Sequence, residues 1–224
     1  MTLQLPDFSK VKKGESCKNQ FRLAYENRYT WPKTFSGYYG AITFQSSTDH
    51  VEGKFFVESN FNSKVEGVKD ELISKAIKSQ LWEVTIHRVK RPFQEVHGDN
   101  TFTLGDLGEY GYEIIVGGKN KGDRYRIKNG YVSMVYRLIH GKYVLIYTDD
   151  IIDTKQGYLS HKYTSEYSDP KTGKSLSLKS HYEDTFSPIS TQGPWVLTKR
   201  IIHGQQENSN FSQSFTFTDL KEYN

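Results

Sequence analysis

Between residues 67 and 87 the apolar positions Val68, Leu72, Ile73, Ala76, Ile77, Leu81 and Val84 recur every three or four residues. That spacing puts them in one stripe on one side of an α-helix. Asp70 and Glu71 in its first turn, and His87, Arg88, Lys90 and Arg91 at its end, have the polarity that suits the helix dipole, and Pro92 stops it. A shorter helix is predicted from Ser16 as N-cap through Cys17, Phe21, Leu23, Ala24 and Tyr25, ending before Trp31-Pro32. Residues 36 to 46 and 51 to 59 are rich in β-forming side chains and flank the polar turn Ser47-Thr48-Asp49-His50, as the arms of a hairpin do. From residue 93 onward Val, Ile, Tyr, Phe and Thr recur in short runs broken by turn residues. Asn129-Gly130, His140-Gly141 and Pro170-Lys171-Thr172-Gly173 each mark a hairpin, and Gly117-Gly118 with Gly122 another turn.

The predicted fold class is α+β, mostly β: a long curved antiparallel sheet of about nine or ten strands with two helices. A sheet of that length must curl, and two helices cannot cover both faces. The economical arrangement is a half-barrel or open barrel with the longer helix packed on the concave side, which leaves a pocket. Residues 1 to 15 have no period and are predicted as a flexible arm, ahead of a single domain over 16 to 224.

Composition narrows the partners. Of 224 residues, 16 are Tyr, 13 Phe and 3 Trp, against two Met. Such rings fill half-buried sheet faces, and they also line pockets for flat apolar molecules, so a small hydrophobic or aromatic partner is expected. A net charge of +4 with interspersed signs is too mild for a nucleic-acid-binding stripe. No apolar run approaches the roughly 20 residues of a membrane span, and the start lacks a basic stretch followed by an apolar core. A cytoplasmic monomer or homodimer, not an integral membrane protein, is therefore the expectation. One cysteine, Cys17, excludes an intrachain disulfide framework and thiolate metal clusters.

The seven histidines are scattered, with no pair at metal-binding helical spacing, and no phosphate-binding or dinucleotide fingerprint is complete, so neither metal nor cofactor is expected. The densest polar stretch runs from His87 to Asn100. If His97 lies beside Glu95 or Asp99, a carboxylate would fix its tautomer and leave the other nitrogen as base or nucleophile, while Arg88 receives an oxyanion. The same residues also suit a helix end with solvated charges. A second stretch, Ala24 to Pro32, alternates rings with Glu26, Asn27 and Arg28. It suits a pocket rim in which Arg28 stacks on Trp31, and equally a helix terminus anchored by aromatic packing. In a third, His161, Tyr163, Ser165 and Tyr167 share one strand face near Tyr158, with His181 and His203 further on. Proton transfer and plain sheet-surface polarity both fit that pattern.

Several of these stretches carry a resemblance. Ala24-Tyr-Glu-Asn-Arg-Tyr-Thr-Trp31, His87-Arg88, Phe93 with His97-Gly98-x-Asn100-x-Phe102, Asp153-Thr-x-x-Gly157-Tyr158, Pro170-x-Thr-Gly173, Glu183-Asp184-x-Phe186 and Leu197-Thr-Lys-x-x-x-His203 occur in order over residues 20 to 205. Together they resemble the cyanobacterial and plastid family labelled domain of unknown function 3386. The family pattern is in turn similar to the half-barrel of lipoprotein carriers and of VioE-like pigment-biosynthesis enzymes, which work without cofactors. Arg28, His87, Arg88, His97, Asn100 and His203 stand at its motif positions, whereas the basic amino-terminal arm and the Tyr-rich sheet depart from it and suggest a specialised paralogue. The resemblance implies a cofactor-free biosynthetic enzyme of specialised metabolism acting on an aromatic substrate by carbon-carbon bond formation or cyclisation, for example to a furanolide-type lactone. His97, His87, Arg88 and Glu95 would be catalytic. Tyr25, Arg28, Trp31, Asn100, Tyr158, His161, Tyr163 and His203 would contact the substrate. The alternative it implies is a non-catalytic binder or carrier of an apolar pigment or lipid.

Overall fold

The first helix, α1 (Lys13–Glu26), turns Cys17, Phe21, Ala24 and Tyr25 to one side, a four- and three-residue spacing that gives it a buried stripe. In the computed structural model, residues 13–60, 62–176, 179–206 and 209–223 are described. The expected arm over residues 1–15 lies outside them up to residue 12, and residues 13–15 are helical, so α1 starts ahead of the cap expected at Ser16.

The other elements follow as β1 (Gly37–Gln45), β2 (His50–Glu58), β3 (Ser63–Glu66), α2 (Glu71–Ile86), α3 (Phe93–His97) and β4 (Asn100–Gly108). Then come β5 (Gly111–Gly118), β6 (Arg124–Lys128), β7 (Tyr131–Ile139), β8 (Lys142–Asp153), β9 (Tyr158–Ser168), β10 (Ser180–Pro188), β11 (Trp195–Gln206) and β12 (Ser209–Glu222). The chain is mostly β and antiparallel, as predicted, with three helices and twelve strands where two and about nine or ten were expected. β3 escapes a pattern search because Ser63-Lys64-Val65-Glu66 holds one apolar residue. α3 forms where a strand was expected, its first turn anchored by the Pro92 carbonyl, which accepts from Glu95 N and Val96 N.

The chain divides into two compact units, Met1–Tyr29 with Arg91–Ser180 and Thr30–Lys90 with His181–Asn224. In the first, the strands lie in the order β9-β8-β7-β6-β5-β4, and in the second β3-β2-β1-β12-β11-β10. The sheet is open, with β4 and β3 each paired on one side only. The two larger helices belong to different units: α1 packs on β4, β6 and β7 in the first, and α2 on β3 in the second.

In the first unit, α1 closes over a core of Phe93, Phe102, Ile114, Val116, Tyr125 and Val132. The helix end is tied to the sheet by Tyr29 N donating to Tyr158 O and Tyr158 N to Asn27 O, both at 2.9 Å. Gly157 makes this approach possible: at φ +139, a Cβ there would come within 2.7 Å of Asn27 O. The predicted two-residue hairpin at Asn129-Gly130 is present, with φ of 49 and 79, and so is that at His140-Gly141. Pairing register lines up Leu104, Ile114, Tyr125, Val135, Ile146 and Ser165, one residue from each of β4 to β9. Residues opposite one another across a ladder share a face, so this row crosses the sheet on the side that α1 covers at its β4 end.

In the second unit, Asp70 caps α2 by accepting from Leu72 N and Ile73 N at 2.8 and 3.0 Å. Ile77, Leu81 and Val84 of α2 are buried, as are Tyr38, Phe44, Phe55, Phe215 and Phe217 of the sheet. Arg200 is also buried. It grips its cross-strand partner Asp184 through Nε and Nη2 at 2.7 and 2.6 Å, while Nη1 donates to Gln80 and Glu83 of α2 at 2.8 and 3.0 Å. Burial pushes the Glu83 carboxyl up against the pull of Arg200. Arg200→Met leaves the Asp184 carboxylate buried without its cation and is expected to cost about 3–5 kcal/mol of stability in urea unfolding. Arg200→Met with Asp184→Leu is expected to recover most of that loss; an equal loss in both would show that charge pairing is not what holds this contact.

Candidate functional site

Of the residues predicted to carry chemistry, Tyr25, Arg28, Glu95, His97, Asn100, Tyr158, His161 and Tyr163 lie in the first unit, and Trp31, His87, Arg88 and His203 in the second.

His97 closes α3 and is 2% exposed, set among the rings of Phe21, Tyr25, Phe93, Phe102 and Tyr125 at centroid distances of 5.0 to 6.4 Å. The carboxylate partner expected for it is not there: Glu95 and Asp99 are exposed, and the group at Nδ1 is the Asn100 amide, 3.2 Å away. Asn100 is oriented by Asn120 N, which donates to its Oδ1 at 2.9 Å, so its Nδ2 faces the imidazole and donates to Nδ1. The proton then sits on Nε2. Burial, and secondarily the charges of Arg137 and Arg28, hold the imidazole down to about 4. His97 is a neutral ring at pH 7, with a basicity too low for the general base that the spacing suggested.

Around this cage stand polar groups that the sequence did not single out. Tyr125, on β6, lies 4.4 Å from Phe21 ring to ring, and its buried hydroxyl has no hydrogen-bond partner among the described residues. Burial pushes that phenol far up, and Arg137 and Arg28 pull it the other way. Arg137, on β7, bonds through Nε to the buried Asp123 at 2.8 Å. The guanidinium of Arg28 lies 3.8 Å over the Tyr25 ring and its Nε donates to Tyr25 O at 2.8 Å, so Tyr25 is the ring beneath it. At the other end of the cross-strand row, the buried Ser165 Oγ also lacks a partner among the described residues. Tyr125 was visible in the sequence only as a strand residue and Arg137 only as one cation among 30. The register that puts them beside α1 is a tertiary property.

The remaining candidates are placed as follows. Tyr158 is buried and its hydroxyl accepts from Val132 N at 3.1 Å, a structural bond. His161 pairs through Nε2 with the exposed Asp150 at 2.9 Å, and Tyr163 is half-buried on the same strand. In the second unit, Trp31 is buried against Phe35 and Tyr38, and its indole donates to Trp195 O at 2.9 Å. Arg88 is buried with its guanidinium 5.3 Å from the Phe186 ring, and its carbonyl accepts from Trp31 N. His87 caps the end of α2 and is exposed, as is His203 opposite His181 on β10. Burial pushes the Cys17 thiol up to about 11, which makes it a packing residue. Among the described residues there is no cluster of groups able to hold a metal ion, and no helix long and apolar enough to cross a membrane.

The chain belongs to the family described as a protein of unknown function, DUF3386, whose model matches residues 12–223. No curated protein matches it. Among solved structures it is similar to the LolA superfamily protein NE2245 of Nitrosomonas europaea, with 10% identity, a TM-score of 0.36 and coverage of 96% of this chain and 95% of that one. It is also similar to a DUF1329 family protein of Desulfovibrio piger, with 8% identity, a TM-score of 0.27 and coverage of 95% and 94%.

The low basicity of His97 has a consequence for stability. In the unfolded chain the imidazole takes its proton near 6.5, in the folded chain near 4. Above pH 6.5 it contributes no pH dependence; as the pH falls towards 4 the unfolded state binds the proton first and folding loses about 1.4 kcal/mol per unit. Wild type is therefore expected to lose about 3 kcal/mol more than His97→Phe between pH 7 and 4. Urea unfolding of both at each pH measures the difference, and parallel curves would refute a neutral buried His97.

Proposed function

We propose that the protein binds and carries a small, mostly apolar molecule without transforming it, on the face of the first unit's sheet that runs from the edge of α1 across β7, β8 and β9. One observation carries this reading. Two buried hydroxyls without partners, those of Tyr125 and Ser165, stand in one cross-strand row with the apolar Val135 and Ile146 between them. A buried hydroxyl left unpaired costs about 1–3 kcal/mol, and a row that carries two of them gains that back when a ligand offers hydrogen-bonding groups. With strands about 4.8 Å apart, the backbones of Tyr125 and Ser165 are separated by three spacings, about 14 Å, the length of a small amphipathic molecule lying across the strands. Arg137, Val144 and Tyr167 form the next row on the same face, so the surface on offer is apolar with polar points at its ends, the usual make-up of a small-molecule site.

The state of His97 supports binding over catalysis. The general base expected at His97 would take a proton near neutrality, and the imidazole at the centre of the cage does not.

The uncharged fluorophore N-phenyl-1-naphthylamine tests this directly. It is expected to bind with one site per chain, and Ile146→Asp is expected to weaken it by at least about tenfold, because a carboxylate is costly in an apolar site. Leu138→Asp, at a position 52% exposed on the opposite face of β7, is expected to leave binding unchanged. Absence of binding, or equal effects of the two substitutions, would sink the reading. Conversion of a retained molecule, seen as a mass change after incubation with cell extract, would replace it with an enzyme.

A further inference from the structure

The polar end of this row has a definite charge. Arg28 and Arg137 each spend Nε on the protein, on Tyr25 O and on Asp123 Oδ2, which fixes both guanidinium planes and leaves their Nη groups available. Asp123 offsets one of the two cations; His97 stays neutral, so the end carries one surplus positive charge. Arg137 stands two residues beyond Val135, the register partner of Tyr125, and Arg28 lies over Tyr25, whose ring is 5.1 Å from His97, itself 6.0 Å from the Tyr125 ring, so the two cations flank the phenol whose hydroxyl is unpartnered among the described residues. From there, the apolar side chains of Val135 and Ile146 lead away across the strands.

We infer that the ligand is an amphipathic monocarboxylic acid, its carboxylate held by the Nη groups of Arg28 and Arg137 and by the Tyr125 hydroxyl, its apolar body lying over Val135, Val144 and Ile146. A carboxylate suits this set because it has two oxygens and no donor: it accepts from the planar guanidinium forks and from the phenol, and neutralises the surplus charge. Tyr125 is thereby supplied with the acceptor that the fold withholds. The Asp123 carboxylate, on the far side of Arg137's Nε, holds that cation in place and disfavours a dianion.

The inference rests on the binder reading, and its test separates the two. Oleate and oleyl alcohol share one chain and differ in the head group; each is titrated, below its aggregation limit, against protein loaded with N-phenyl-1-naphthylamine. Oleate is expected to compete at least about tenfold better than the alcohol, as for charge-assisted over neutral hydrogen bonds. Arg28→Gln is expected to remove most of that preference, and Tyr125→Phe about threefold to tenfold of it, because each lowers the affinity for oleate more than that for oleyl alcohol. Arg137→Gln is the less useful variant because it strands the buried Asp123. A cooperative urea-unfolding transition in each variant shows that it is still folded. Equal affinity of acid and alcohol would overturn the anionic head group and leave the binder reading standing. Acid preference that survives both substitutions would place the carboxylate elsewhere and overturn the assignment, and failure of the naphthylamine to bind at all would overturn both.

Discussion

Phe21 is the residue on which the first unit turns. Fully buried, it makes ring contacts with Tyr25 of its own helix, with Phe93 and His97 of α3, with Phe102 of β4 and with Tyr125 of β6, at 4.4 to 6.2 Å. One side chain thus joins two helices to two strands through edge-on and tilted ring pairs, each adding about 0.5–1.5 kcal/mol beyond the area it buries. The cluster also sets the chemistry near it. By keeping water from His97 it removes the ring's basicity, and by closing over β6 it leaves the Tyr125 hydroxyl buried without a hydrogen-bond partner among the described residues.

The two units treat buried polarity differently. In the second, the nitrogens of Arg200 are answered by Asp184, Gln80 and Glu83, so a costly group becomes a fixed contact between α2 and the sheet. In the first, Asp123 and Arg137 answer each other, but Tyr125 and Ser165 are left open. A folded chain tolerates few such groups, because each subtracts from a stability of roughly 5–15 kcal/mol in total. That both lie in one row, on one face of one unit, is what separates them from an incidental packing fault.

The sequence made the elements legible where local chemistry decides them. The three-to-four spacing of Ile73, Ile77, Leu81 and Val84 predicts α2 to within a few residues, and Asn129-Gly130 predicts a turn that needs two positive φ angles. Elements decided by pairing were not legible. β3 exists because Val65 pairs with Phe55, and α3 because Pro92 and the Phe21 cage favour a turn over a strand. The candidate site divides in the same way. Arg28, His97 and Asn100 stand out because each lies in a short stretch dense in polar and aromatic groups. Tyr125, Arg137 and Ser165 did not, because their common face depends on the register of four strands between residues 124 and 168. The expected carboxylate partner of His97 is absent for a physical reason: the short helix brings Phe93 and His97, four residues apart, to its inward side and sends Glu95 outward.

Catalysis and binding ask opposite things of a buried imidazole. A general base must gain charge in the transition state, so it needs a carboxylate or water to stabilise the imidazolium, and the site must hold that arrangement ready. Here the neighbours of His97 are rings, a neutral amide donating to Nδ1 and two cations whose charge opposes protonation. Burial among the rings and the two positive charges both favour the uncharged form. The same neighbours suit the proposed binding site: neutral rings would give an apolar ligand a dry wall, and Arg137, steadied by Asp123, and Arg28, held on Tyr25 O, would meet an anion through their Nη groups. What makes His97 a poor catalyst is therefore what makes the surface beside it a good place to hold an acid by its head.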